Sequence, residues 1–153
     1  MLRTLILLFS LVTLTAAAQS EPAEAPNPFE QQLPRVVLHT SMGDITVELY
    51  EDQAPKSVEN FLQYARDDYY DGTIFHRVIT EFMIQGGGFD RDLEGPPVRE
   101  PIENEADNGL SNERGTIAMA RTNDPHSATA QFFINAVDNP ALDHRGKVSG
   151  RTW

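Results

Sequence analysis

The sequence predicts a mainly β domain, a barrel or sandwich carrying a single helix, and three observations support this. Six short β-prone runs lie between Val36 and Asn135. Only one stretch has helical spacing of its apolar residues. A chain of 153 residues is long enough to build one domain with a sizeable core.

The amino terminus stands apart from that domain. Arg3 precedes an apolar run from Leu5 to Leu14, and Ala16-Ala17-Ala18 follows before Gln19. A basic residue, a short apolar run and small residues at a cleavage position are the three parts of a secretory signal peptide, here residues 1–18 with cleavage after Ala18. The run is well short of the ~20 residues that cross a bilayer, so stable membrane insertion is not expected. Residues 19–34 contain four prolines and three glutamates, with Phe29 and Leu33 as the large apolar side chains. Such a stretch buries too little to order itself and is expected to be a disordered linker.

The domain, residues 35–153, begins with Val36-Val37-Leu38-His39-Thr40 and Ile45-Thr46-Val47-Glu48-Leu49, joined by Ser41-Met42-Gly43-Asp44. Ile45, Val47 and Leu49 share one face, which predicts a β-hairpin with a short glycine-containing turn. Pro55 opens a helix, because the first turn does not need its missing N–H. Val58, Phe61, Leu62 and Ala65 then follow at i, i+3, i+4 and i+7, predicting an amphipathic helix from Pro55 to Arg66. Further strands are predicted over Thr73–Val78, Phe82–Gln85, Gly115–Ala120 and Gln131–Asn135. Residues 86–114 form a long connection rich in Gly, Pro, Asp, Glu and Asn, a length that usually signals function or irregular packing. No internal repeat is present.

Composition narrows the chemistry. Cysteine is absent, which excludes disulfides, thiolate metal sites and cysteine nucleophiles. The formal net charge of −11 becomes one unit more negative when Arg3 leaves with the signal peptide, and lysine occurs only at Lys56 and Lys147. That field repels nucleic acid and anionic lipid, and its simplest effect is solubility. Gly86-Gly87-Gly88 follows a strand, yet no Gly-Lys-Ser/Thr comes after it, so a sharp turn is expected rather than a phosphate loop. His39, His76, His126 and His144 lack ligand spacing, and no metal is expected. The absence of Gly-x-Ser-x-Gly weakens a serine hydrolase reading.

What remains is an arginine among apolar side chains. In Phe75-His76-Arg77-Val78-Ile79 strand alternation puts Arg77 on the face of Phe75 and Ile79, and Phe82-Met83-Ile84-Gln85 follows. On this stretch alone, an arginine stem lying along a hydrophobic edge accounts for the pattern better than a working cation does. In Gln131-Phe132-Phe133-Ile134-Asn135 adjacent phenylalanines face opposite sides, so one of them points out of the core.

These motifs, taken in order, resemble the cyclophilins, the barrel-shaped peptidyl-prolyl isomerases. Ala54-Pro55-Lys56-Ser57-Val58-Glu59-Asn60-Phe61 is similar to the family's first helix, and Phe75-His76-Arg77 through Phe82-Met83-Ile84-Gln85-Gly86-Gly87 to its arginine strand and the adjoining segment. Gly115-Thr116-Ile117-Ala118-Met119-Ala120 and Gln131 to Asn135 are similar to the next two strands, and Leu142-Asp143 to a pocket-lining turn. The resemblance runs from about Arg35 to Trp153. The stretch Asn104 to Leu110, together with the signal peptide, resembles the bacterial periplasmic branch.

The resemblance implies an antiparallel β-barrel with a capping helix. It implies that Arg77 is catalytic, that Phe82, Met83, Phe133 and Leu142 line a proline pocket, and that Gln85, Ala120 and Gln131 line a peptide groove. It further implies no cofactor, a periplasmic location, unfolded or proline-containing polypeptides as partners, and a monomer when the barrel is complete. Two departures stand out. Ala141 occupies a position where many eukaryotic members carry a tryptophan that contacts cyclosporin. The chain also stops at Trp153, before the family's closing strands and second helix, so an incomplete barrel is expected. The alternatives are a module that holds X-Pro peptides without turnover, and an inactive fragment.

Overall fold

A computed structural model describes residues 33–144. The expected signal peptide, the linker up to residue 32 and the segment 145–153 lie outside the described residues. Strand β1 (Arg35–Thr40) turns directly into β2 (Gly43–Glu48), with Val36 opposite Val47 and Leu38 opposite Ile45. Gly43 has φ +119, a backbone state that a β-carbon disfavours, and this lets the connection shorten to Ser41-Met42. The ladder also reaches one residue upstream of β1, where the amide of Leu49 donates to the Pro34 carbonyl at 2.8 Å.

Helix α1 (Pro55–Arg66) has no side-chain cap of its own. Glu105, far along the chain, takes that role: its two carboxylate oxygens accept from the amides of Lys56 at 2.9 Å and Ser57 at 2.8 Å, and Oε2 also accepts from the Ser57 hydroxyl. A carboxylate there both satisfies amides left unpaired by the helix and meets the positive end of its dipole. The helix buries Val58, Phe61 and Tyr64, and Phe61 meets Phe132 edge to face at 5.5 Å.

The remaining strands form one antiparallel sheet in the order β3-β4-β6-β5: β3 (Arg77–Ile79), β4 (Met83–Gly86), β5 (Ile117–Met119) and β6 (Phe132–Asn135). β3, β5 and β6 are shorter than the β-prone runs that predict them, and β4 keeps the predicted length but is shifted by one residue. The run at Thr73–Val78 keeps only its last two residues, because Ile74 donates to the Phe89 carbonyl at 2.9 Å and only Arg77 to Ile79 meet β4. The core, Val47, Leu49, Val58, Phe61 and Phe132, lies between the hairpin, the helix and one face of this sheet. Among the described residues the two sheets share no ladder, so the barrel is open, as the incomplete fold predicts.

Candidate active site

The face of the sheet turned away from that core carries the side chains of interest. Register places Arg77 opposite Gln85, Gln85 opposite Phe133, and Phe133 opposite Ala118, a row across all four strands. Directly opposed residues project to the same side, so Ile79, Met83 and Asn135 form a second row on that face. The adjacent phenylalanines therefore separate as expected: Phe132 is buried in the core and Phe133 is half-buried on the other side.

Arg77 is exposed, and its guanidinium donates from Nη1 to Gln85 Oε1 at 3.2 Å. Gln85 Nε2 donates in turn to Gln131 Oε1 at 2.8 Å, so an arginine and two amides form a chain along one edge of the face. Gln131 fits because its neighbour is glycine: a β-carbon on Gly88 would fall 2.5 Å from the Gln131 side chain. The backbone around Gln131 is pinned by the Tyr70 hydroxyl, which donates to Ala130 O at 2.9 Å, and by Ala120 N, which donates to Gln131 O at 2.9 Å. Burial pushes the Tyr70 phenol well above its ordinary pKa, so it remains a neutral donor.

Phe82 sits in the β3–β4 turn, where Glu81 takes a left-handed φ of 57. Its carbonyl accepts from Ala136 N and from Asn139 Nδ2, both at 2.9 Å. Asn139 also accepts, through its backbone carbonyl, from the amide of Leu142 at 2.9 Å, in the short turn Pro140–Leu142. One buried asparagine thus fixes both Phe82 and Leu142. Asn139 Nδ2 donates to Asn135 Oδ1 at 2.7 Å, and Asn135 Nδ2 donates to Thr116 Oγ1 at 2.9 Å and to Asn112 Oδ1 at 3.2 Å. This network satisfies polar groups that burial would otherwise penalise.

Arg77, Phe82, Met83, Gln85, Ala120, Phe133 and Leu142 all line one cavity of about 1170 Å³. Gln131 is not on its wall and joins the group through Gln85. The same cavity continues inward to Val47, Leu49, Phe61 and Phe132 of the core. It also contains Arg121, half-buried beside Ala120, whose Nη1 donates to Pro125 O at 3.0 Å. Burial lowers the Arg121 pKa, and the charge of Glu105 opposes that shift. Sequence reasoning missed Arg121 and the asparagines at 112, 135 and 139. The only hint in the sequence was the number of asparagines flanking the last two strands.

Residues 35–152 match the family model described as cyclophilin type peptidyl-prolyl cis-trans isomerase. The chain belongs to this family. Cyclophilins interconvert the cis and trans forms of X-Pro bonds, and among the relatives is the peptidyl-prolyl cis-trans isomerase cyp18 of Streptomyces antibioticus, 63% identical over 113 residues. That alignment covers 74% of this chain and 68% of the relative. Peptidyl-prolyl cis-trans isomerase B of Escherichia coli strain K12 is 58% identical over 112 residues, covering 73% of this chain and 68% of its own length. The fold also superposes on a crystal structure of a cyclophilin type isomerase from Cryptosporidium parvum determined in the presence of the dipeptide Ala-Pro, with a TM-score of 0.62, 32% identity and 72% of each chain covered. The cyclophilin fold thus accounts for both the helix-capped sheets and the face that carries Arg77.

Proposed function

We propose that the cavity face binds X-Pro segments of exported polypeptides and that Arg77 catalyses rotation of the prolyl bond, assisting their folding in the periplasm. The observation that carries this is the row Arg77, Gln85, Phe133: a guanidinium held by an amide at hydrogen-bonding distance, on the same sheet face as apolar walls. An X-Pro bond resists rotation because the nitrogen lone pair is delocalised into the carbonyl, a barrier of ~20 kcal/mol. Arg77, exposed and with N–H groups beyond the one that Gln85 takes, donates to the prolyl nitrogen as it pyramidalises. That contact is stronger in the twisted state than in the planar one, which is what lowers a barrier. Phe82, Met83, Phe133 and Leu142 hold the ring and exclude water, and Gln85, Ala120 and Gln131 flank the peptide. Reaching milliseconds from tens of seconds takes four to five decades, or ~6 kcal/mol, within the range of preorganised donors in a dry groove.

The test is the Arg77→Ala variant on an Ala-Pro tetrapeptide. Loss of one transition-state donor should lower kcat by about 100-fold while peptide affinity changes by less than about threefold. Collapse of affinity with turnover of bound peptide preserved would instead mark Arg77 as a binding residue. For export, the mature protein should begin at Gln19, so intact mass of periplasmic material retaining residues 1–18 would count against the assignment.

A further inference from the structure

The β3–β4 turn holds a glutamate in a backbone state that its side chain disfavours, at the edge of the Arg77 face. The turn runs Ile79-Thr80-Glu81-Phe82 and is closed by the Phe82 amide, which donates to the Ile79 carbonyl at 3.2 Å. Of the two central residues only Glu81 has a positive φ, 57. That is the pattern of a type II turn, whose third position favours glycine or asparagine. We propose that Glu81 is a specificity-determining residue: its carboxylate, exposed beside Phe82, selects X-Pro segments in which a lysine or arginine follows the proline. The proposal rests on the reading of the cavity face as an X-Pro site.

Three observations carry it. The first is where the strain falls. Among the described residues Asp68 and Leu93 also combine a side chain with positive φ, but neither adjoins a residue of the Arg77 face, whereas Glu81 directly precedes Phe82. Strain of this kind concentrates at functional sites. The second is that the carboxylate is unengaged. Glu81 is exposed and, among the described residues, has no hydrogen-bond or ion-pair partner, so no contact there offsets the strain. The third is direction. Arg77 pairs with Gln85 and Ile79 with Met83, so the amides of Gln85 and Gln131 stand at the end of the face remote from the turn, and Met83 and Phe82 stand next to it. A segment with its prolyl nitrogen at Arg77 and its ring on Phe82, Met83 and Leu142 has the residues before the proline at the amide end. The residues after it leave past the turn. One further residue advances the chain by ~3.4 Å, and the four-carbon stem of a lysine extends the reach to a carboxylate beside Phe82.

The expected effect is small and falls on binding. An exposed ion pair changes affinity by up to about fivefold and weakens as salt rises. A charge on the residue after the proline is the same in the planar and twisted states of the bond. The contact therefore stabilises both alike, and it sorts peptides through KM rather than kcat.

The experiment titrates the 153-residue chain with three end-blocked tetrapeptides, Ala-Ala-Pro-Lys, Ala-Ala-Pro-Ala and Ala-Ala-Pro-Glu, and reads Kd by NMR shift changes and turnover by exchange NMR. At low salt the lysine peptide should bind about threefold more tightly than the alanine peptide, and the glutamate peptide more weakly than either. Added salt should narrow the spread. Glu81→Gln keeps the size of the side chain and should bring the lysine-to-glutamate ratio close to one. Glu81→Gly, which suits positive φ without strain, should do the same. General damage to the pocket lowers all three affinities together and leaves their ratio intact, so the ratio isolates the charge. Equal affinities in the parent chain overturn the proposal and leave the reading of the face as an X-Pro site intact. A lysine preference that survives both substitutions also overturns it, and assigns the preference to the overall acidic charge. Binding of none of the three peptides overturns the X-Pro reading, and the proposal with it.

Discussion

Gln85 occupies a pivotal position among the side chains of the site. It accepts from Arg77 at 3.2 Å and donates to Gln131 at 2.8 Å, so it sets the direction of the guanidinium and is itself set by the next amide. Gln85→Ala removes the acceptor that orients Arg77. Losing one such hydrogen bond, worth about 1 to 1.5 kcal/mol, should lower kcat roughly tenfold with little change in melting temperature. Gly88→Ala acts one step further out. Its new β-carbon would sit 2.5 Å from the Gln131 side chain, which is flexible enough to move aside and would then release Gln85. A smaller loss of kcat is expected, and no further loss when Gly88→Ala is added to Gln85→Ala, since both act through the same amide. Steady-state kinetics of the two single variants and the double variant check this; additive losses would show that the two residues act separately.

At the scale of elements, α1 depends on a residue that is remote in sequence. Glu105 serves two amides and a hydroxyl at the helix start, and nearby Ile102 bridges to Ala128, so the long connection is anchored at both the helix and the loop that precedes β6. Glu105→Ala removes all three hydrogen bonds. Loss of a helix cap costs about 1 to 2 kcal/mol, which for a domain of this size corresponds to a fall in Tm of several degrees. Glu105→Gln keeps a carbonyl acceptor and should recover part of that loss. Thermal unfolding followed by circular dichroism decides it, and a Tm for Glu105→Ala within a degree of the parent would show that water caps the helix equally well. The helix itself was legible in the sequence, since Pro55 and the spacing of Val58, Phe61 and Leu62 place it over Pro55–Arg66. Its cap was not, because a contact 48 residues distant leaves no local pattern.

For the whole molecule, the open sheets set the stability. Among the described residues β1 and β2 pair only with each other, and Val37 on β1 is 43% exposed. The cavity reaches Val47, Leu49 and Phe61, which themselves stay buried, whereas Val78 and Ile79 on β3 are exposed. Net stability of a domain is only ~5 to 15 kcal/mol, and each large side chain left incompletely buried forfeits up to ~1.5 to 3 kcal/mol. The 153-residue chain should therefore unfold at low temperature or associate through the strand edges left unpaired among the described residues, and Val37→Lys should suppress that association. Sedimentation across a concentration series, paired with thermal unfolding, tests both statements. A concentration-independent monomer with a sharp transition would show that the open sheets are stable as they stand.

The sequence by itself determined the mainly β class, the hairpin, the helix and the opposite facing of Phe132 and Phe133, because alternation and helical spacing are local properties that burial enforces residue by residue. It also supplied the family, through motifs whose order along the chain survives without coordinates. Only the tertiary structure decided that Arg77, Gln85 and Phe133 stand in one row, that Asn139 fixes Phe82 and Leu142 together, and that Arg121 shares their cavity. Register between strands and hydrogen bonds across 46 or 57 residues depend on how the chain closes in space, and no period in the sequence encodes that closure.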